Sequence, residues 1–264
     1  MTQPSGTDLQ AWPLAMAALR RVWQMRDDLL RLAAVPVIVN FLLNIWLQGA
    51  IGDLLIVIEP GQTPDPAVVS ALEMPLIGYA LASWCVVVVF VVNWMRFLVL
   101  GPDAVPGLGL AFGRRHLRML LLSLAMQIGG GFLLAIMLLI VLLVYPAPAL
   151  QYAAVILFLI WYLIAVVRLG PVWVGIAIDA PMKLRDAWRR TEGYGIRLAV
   201  AFVTVSFLLF VLQTMLLSLS VSLGFMTAAP LALSFISVVI QYVMFASIGA
   251  VFVLTYPRFV SETV

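Results

Sequence analysis

The chain has 264 residues, 64% of them hydrophobic and 10% charged, with a formal net charge of +3 and a mean hydropathy of +1.13. A soluble domain carries about 25% charged residues, so this composition excludes intrinsic disorder, a disulfide scaffold, a fibrous repeat and an ordinary cytosolic enzyme. It points to a membrane protein, with its single cysteine, Cys85, inside an apolar run.

Residues 1–31 read as a cytoplasmic amphipathic segment, built from Ala17-Ala-Leu-Arg-Arg-Val-Trp23 and Asp28-Leu-Leu-Arg31. They contain no short apolar stretch followed by a small-residue cleavage site, so no cleaved signal is expected. Long apolar runs near 32–51, 76–100, 118–144, 150–174, 197–223 and 231–256 then predict six transmembrane helices in a membrane domain over 32–256, before a cytoplasmic tail at 257–264. The loops near 145–149 and 224–230 are short and uncharged, which predicts antiparallel neighbours. The first outer loop, near 52–75, carries Asp53, Glu59, Asp65 and Glu73 with several prolines, and is expected to be a solvated loop or a short interfacial helix.

Basic residues orient these spans. Arg20, Arg21, Arg26 and Arg31 precede span one, and Arg96, Arg114, Arg115 and Arg118 lie between spans two and three or at their edges. Arg168, Lys183, Arg185, Arg189, Arg190 and Arg197 lie between spans four and five or at their edges, and Arg258 follows span six. All 15 fall on one side, which by the positive-inside rule is cytoplasmic, as are both termini. The expected location is a bacterial inner membrane. Trp12, Trp23, Trp94, Trp173 and Trp188 fall near the same boundary, where indoles favour the headgroup layer. The basic pI, about 9.3, therefore implies anionic lipid of the cytoplasmic leaflet as partner, not nucleic acid.

Three basic stretches resemble one another: the one before span one, Leu110-Ala-Phe-Gly-Arg-Arg-His116 before span three, and Arg185-Asp-Ala-Trp-Arg-Arg190 before span five. This predicts three tandem units, each an interfacial amphipathic helix followed by a helical hairpin. The third is the clearest helix, with Leu184, Ala187, Trp188 and Thr191 on one face, Asp179 as a candidate N-cap and Gly193 as a stop. It is expected to contact anionic lipid and to offer a surface to a partner protein.

The stretches Arg168-Leu-Gly-Pro171, Leu184-Arg-Asp-Ala-Trp188 and Thr191-Glu-Gly193 resemble a signature of bacterial six-span membrane proteins, the glycerophosphoryl diester phosphodiesterase membrane-domain and YciC-type families. The resemblance spans about 30 residues and implies an α-helical membrane module. The catalytic barrel fused to some relatives has no room here, so hydrolysis does not carry over.

Polar side chains inside the spans need partners in hydrocarbon. Asn40, Asn44 and Gln48 form an i, i+4, i+8 stripe on span one, joined by Gln127 on span three, Gln213 on span five, and Ser234, Ser237 and Gln241 on span six. Two readings stay open: interhelical hydrogen bonding, or a polar cavity for a headgroup or solute. Arg96 and Arg168, at the inner ends of their spans, either snorkel or hold phosphate, with Asp103 and Asp179 as possible ion partners. With Lys183, Arg185, Arg189 and Arg190 they form the candidate phosphate and headgroup contacts. Catalytic motifs, metal-ligand clusters and cofactor fingerprints are absent from the sequence, and His116 stands alone among arginines. The reading that follows is a non-enzymatic scaffold or accessory in envelope or lipid processes. The alternative is a small solute or lipid carrier.

Overall fold

A computed structural model describes residues 10–56, 66–105, 107–110, 112–144, 148–222 and 230–260. Among these the chain is all-helical. Helices α1 (Ala11–Gln24), α2 (Arg26–Ile56) and α3 (Pro66–Leu100) are followed by a 3-10 turn at Pro102–Ala104. Then come α4 (Arg114–Val144), α5 (Pro148–Arg168), α6 (Gly170–Ala177), α7 (Leu184–Arg190), α8 (Gly195–Ser222) and α9 (Pro230–Val260). Six stretches are long and apolar enough to cross a membrane: Arg26–Ile51, Ser70–Leu100, Arg114–Leu143, Leu150–Ala177, Gly195–Ser222 and Pro230–Val260.

Helix is the conformation that satisfies every backbone group within one segment, as hydrocarbon requires. Local chemistry sets the ends. Helices α3, α5 and α9 each open on proline, whose missing N–H is no loss in the first turn. Asp27 and Asp28 occupy the first turn of α2, where the helix dipole favours negative charge. The fourth apolar run is broken at Leu169, so that α5 ends and α6 restarts. Pro171 cannot donate to the carbonyl four residues back, and its ring would crowd that carbonyl in a continuous helix.

The bundle is centred on α9, which packs on α1, α2, α3, α6 and α8. In its most apolar window 44% of residues are buried, against 6% for the windows on α4 and α5. Helix α2 also packs along α3, and α4 along α5. Helix α1 lies against α8 and α9, burying Ala15, Ala18 and Val22, so its small side chains admit a close approach. Two apolar clusters fill the interior. One joins α1, α2, α3, α8 and α9 around Phe90, Trp94 and Tyr242; the other joins α3, α4, α6, α8 and α9 around Met95, Val174 and Phe252.

Several expectations change. The second basic stretch forms no helix of its own among the described residues. Gly107 and Gly109 both adopt left-handed φ (62° and 65°), and Arg114, Arg115 and His116 instead form the first turn of α4. Trp94 does not reach a headgroup layer: it is fully buried, stacked with Phe90 and Phe97, and its Nε1 donates to the carbonyl of Ala246 at 2.9 Å. Trp12, Trp23 and Trp188 are exposed. Asp179 does not cap α7, whose N-cap position is held by Lys183. The helical part of the chain also extends through Ile56 and resumes at Pro66, so Asp53, Glu73 and Pro75 belong to helices. The expected outer loop shrinks to 57–65, which lies outside the described residues, as do 145–147 and 223–229.

Candidate functional site

Asn44 and Gln48 stand one turn apart on α2, and Ser234, Ser237 and Gln241 follow i, i+3, i+7 spacing on α9, so each set shares a helix face. Packing α2 and α8 on α9 brings these faces together with Gln213 and Leu217 of α8. The result is a groove of about 570 Å³, partly open to the surroundings, completed by Pro230, Leu233, Val238 and Met244. Within it Gln48 Nε2 donates to Asn44 Oδ1 (2.6 Å) and to Ser234 Oγ (3.3 Å). The side chains of Gln213, Gln241 and Ser237 hydrogen-bond to no described residue. Four of the six amides expected to line a polar cavity therefore share one groove.

Asn40 is one turn from Asn44 but stands outside the groove, 2% exposed. Its Nδ2 donates to the hydroxyl of Tyr242 at 2.7 Å, and that hydroxyl donates to the carbonyl of Pro36 at 3.2 Å. Asn40 Oδ1 is buried with no partner. Tyr242 is the residue that the polar-stripe reasoning missed; a tyrosine beside Gln241 in an apolar helix was its only signal. Gln127 is placed elsewhere. It borders a separate, apolar cavity of about 310 Å³ between α3, α4, α5, α6, α8 and α9, together with Trp84, Met126, Tyr162 and Phe252. There the hydroxyl of Ser123 accepts from Trp84 Nε1 at 3.0 Å.

The arginines at the other end of the bundle divide into two sets. Arg96 turns inward: Nε donates to the carbonyl of Ala104 (3.2 Å), and Nη1 to the carbonyl of Ala177 (3.1 Å) and to Asp179 (2.7 Å). Asp179 also pairs with Arg115 at 3.1 Å. Asp103 makes no ion pair with Arg96, so of the two expected partners only Asp179 serves. Asp179 occupies the left-handed region (φ 62°) just past α6, with Ala180 N–H donating to the Gly175 carbonyl (2.9 Å) and Asp179 N–H to that of Ile176 (3.4 Å). This is the Schellman closure, with aspartate where glycine is usual.

Beside it lies a pocket of about 360 Å³ lined by Asn93, Arg96, Gly109, Arg115 and His116. His116 is 2% exposed; its Nδ1 accepts from the Gly113 N–H (3.0 Å), its Nε2 faces Asn93 Oδ1 (3.4 Å), and its ring stacks on Phe112. The Asn93 amide in turn donates to the carbonyl of Gly109. His116 thus ties the start of α4 to α3.

Arg168 is also engaged within the chain. Its guanidinium lies 3.8 Å over the Trp188 ring, donates to the Trp188 carbonyl, and reaches Thr191 Oγ1 at 3.3 Å. Thr191 and Ala187 are fully buried, and Gly193 ends the turn at φ 78°. Arg190 Nη1 donates to the Phe259 carbonyl at 2.8 Å, fastening α7 to the end of α9. Lys183, just before α7, and Arg185 and Arg189 on it are exposed, as are Arg20, Arg26, Arg114 and Arg118 elsewhere. Among the described residues no cluster of histidine, cysteine and carboxylate side chains suits a metal ion.

The fold defines a class: among the described residues it is all-helical, with six stretches long and apolar enough to cross a membrane. No family model, curated protein or solved structure matches the chain.

Proposed function

We propose that this chain is a bacterial inner-membrane protein, both termini cytoplasmic, built as three helical hairpins with amphipathic helices at the inner interface. Its basic face engages anionic lipid and a partner protein, in a scaffold or accessory role and not as an enzyme. The division of the arginines carries this reading. Arg96, Arg168 and Arg190 are consumed in fastening the loops and α7 to the bundle, while Lys183, just before that short helix, and Arg185 and Arg189 on it stay exposed. A rigidly held helix with free cations suits a phosphate-rich surface. Kinship with the six-span families named above belongs to the same proposal. The residues carrying that resemblance, Arg168, Ala187, Trp188, Thr191 and Gly193, are spatial neighbours, which gives the pattern a physical reason.

The test is the triple substitution Lys183→Gln, Arg185→Gln, Arg189→Gln in reconstituted protein. At about 1 kcal/mol per basic residue near a charged surface, affinity for anionic liposomes should fall about a hundredfold, with neutral liposomes unaffected. Unchanged binding refutes the basic-face reading. A second reading, a carrier for a small solute or lipid, is favoured by the amide-lined groove. Flux across proteoliposomes that is lost in Asn44→Leu/Gln241→Leu would support it.

A further inference from the structure

Measured along the helix axes, the groove lies far from the basic end. Asn44 is 18 residues beyond Arg26 on α2, Gln213 is 16 beyond Arg197 on α8, and Gln241 is 17 before Arg258 on α9. At 1.5 Å per residue these are distances of about 24–27 Å. Counted from the other ends of the same helices, Ile56, Ser222 and Pro230, the amides lie about 14–18 Å in, so the groove belongs to the half of the bundle away from the basic end. Its volume, about 570 Å³, is in the usual range for small-molecule sites.

The lining chemistry selects among ligands. Among the described residues its polar side chains are four carboxamides and two serine hydroxyls, and none is charged. A phosphate, carboxylate or ammonium group entering such a site would surrender its hydration without gaining a counter-charge, which is costly in a low dielectric. Amides and hydroxyls both donate and accept, so their best complement is a group that does the same at several points. The side chains of Gln213, Gln241 and Ser237 make no hydrogen bond with described residues and border the groove, where a ligand could reach them, whereas Asn40, whose Nδ2 is bonded to Tyr242, lies outside it.

We propose that the groove between α2, α8 and α9 binds an uncharged, hydroxyl-rich group, a sugar or polyol, in the half of the bundle away from the basic face. The same chemistry is offered by a glycosylated lipid, whose chains would leave through the groove's open side, and by a free sugar. The proposal extends the carrier reading by naming its ligand class, but binding alone decides it.

The experiment uses the full chain in phosphatidylcholine nanodiscs, with glucosyl-diacylglycerol as probe, phosphatidylserine as charged control and free glucose as competitor. Retention of the glycolipid on the protein is read by native mass spectrometry. The glycolipid should be retained in preference to phosphatidylserine. Gln213→Leu/Gln241→Leu, which breaks no hydrogen bond within the described protein, should weaken retention at least tenfold. Displacement by millimolar glucose assigns the site to a soluble sugar; retention despite glucose assigns it to the lipid. If the double variant does not fold, Leu217→Trp, which fills the groove from an exposed position, serves the same purpose. Equal retention of phosphatidylserine, retention unchanged in the variant, or no binding of either sugar form overturns the proposal. Sugar binding without flux in proteoliposomes would refute the carrier reading and leave the site standing.

Discussion

Tyr242→Phe removes one oxygen atom from the centre of the bundle and leaves the ring. The edge-on contact with Phe90 (4.9 Å between centroids) and the contact with Phe245 are retained, so the substitution isolates the hydroxyl. Among the described residues that hydroxyl is the one hydrogen-bond partner of the Asn40 side chain, whose Oδ1 is already buried without a partner. Tyr242→Phe therefore strands an entire carboxamide that is 2% exposed. Stranding a buried polar group costs about 1–3 kcal/mol, and interhelical hydrogen bonds in membranes, which average about 0.6 kcal/mol and reach at most about 1.7, favour the lower half. Asn40→Leu should cost less, because the Tyr242 hydroxyl keeps the Pro36 carbonyl. In the double variant no stranded amide remains, so the loss should be smaller than the sum of the singles by about 1 kcal/mol. Reversible unfolding in mixed micelles supplies the cycle. A coupling below about 0.3 kcal/mol, or a Tyr242→Phe variant as stable as the native chain, would refute the idea that this pair holds α2 to α9.

Gly175→Ala should be among the most damaging single-methyl additions, because its Cβ would stand 2.6 Å from the Ala180 carbonyl oxygen, a backbone atom with no room to yield. A loss of about 1–3 kcal/mol in unfolding free energy is expected, and an unchanged melting temperature would contradict the Schellman geometry. Asp179→Gly should relieve the left-handed backbone but lose both arginine pairs, whereas Asp179→Asn loses the charge and keeps the strain. Melting points should therefore rank native above Gly and Gly above Asn, and an Asn variant at the top would show that the carboxylate contributes nothing. Arg168→Lys keeps the charge but loses the planar stack on Trp188 and the split donation to the Trp188 carbonyl and Thr191 Oγ1. It should lower stability by about 1–2 kcal/mol and shift Trp188 emission, which a fluorescence melt would record.

Much of the architecture is legible because hydrocarbon leaves so few options. Runs of apolar residues about 20 long must be helices, and their number follows from counting. The site is only partly legible, for a geometric reason. Asn44 and Gln48 advertise one face of α2, but no periodicity within that helix says that α8 and α9 supply the other walls. Gln127 shows the same limit, since it reads as one of the groove's amides yet α4 carries it to a different cavity. Trp94 misleads because an indole near an arginine reads as an interfacial anchor, until Ala246 on α9 offers a carbonyl to its N–H. Asp179 misleads likewise: aspartate before proline is a good N-cap, and its left-handed backbone and two arginines become visible only when α3, α4 and α6 converge.

The burial of α9 also sets an order of events during synthesis. Each span can enter the bilayer as it emerges, but the helix on which α1, α2, α3, α6 and α8 converge emerges after the other five spans. Asn40 must wait 202 residues for Tyr242, and the Pro36 carbonyl 206 for the same hydroxyl. Until then pairs such as α2 with α3 and α4 with α5 can pack, but the faces that meet α9 stay in lipid. A ribosome stalled before Pro230 would therefore hold a chain that is inserted and partly paired, with its central contacts still missing.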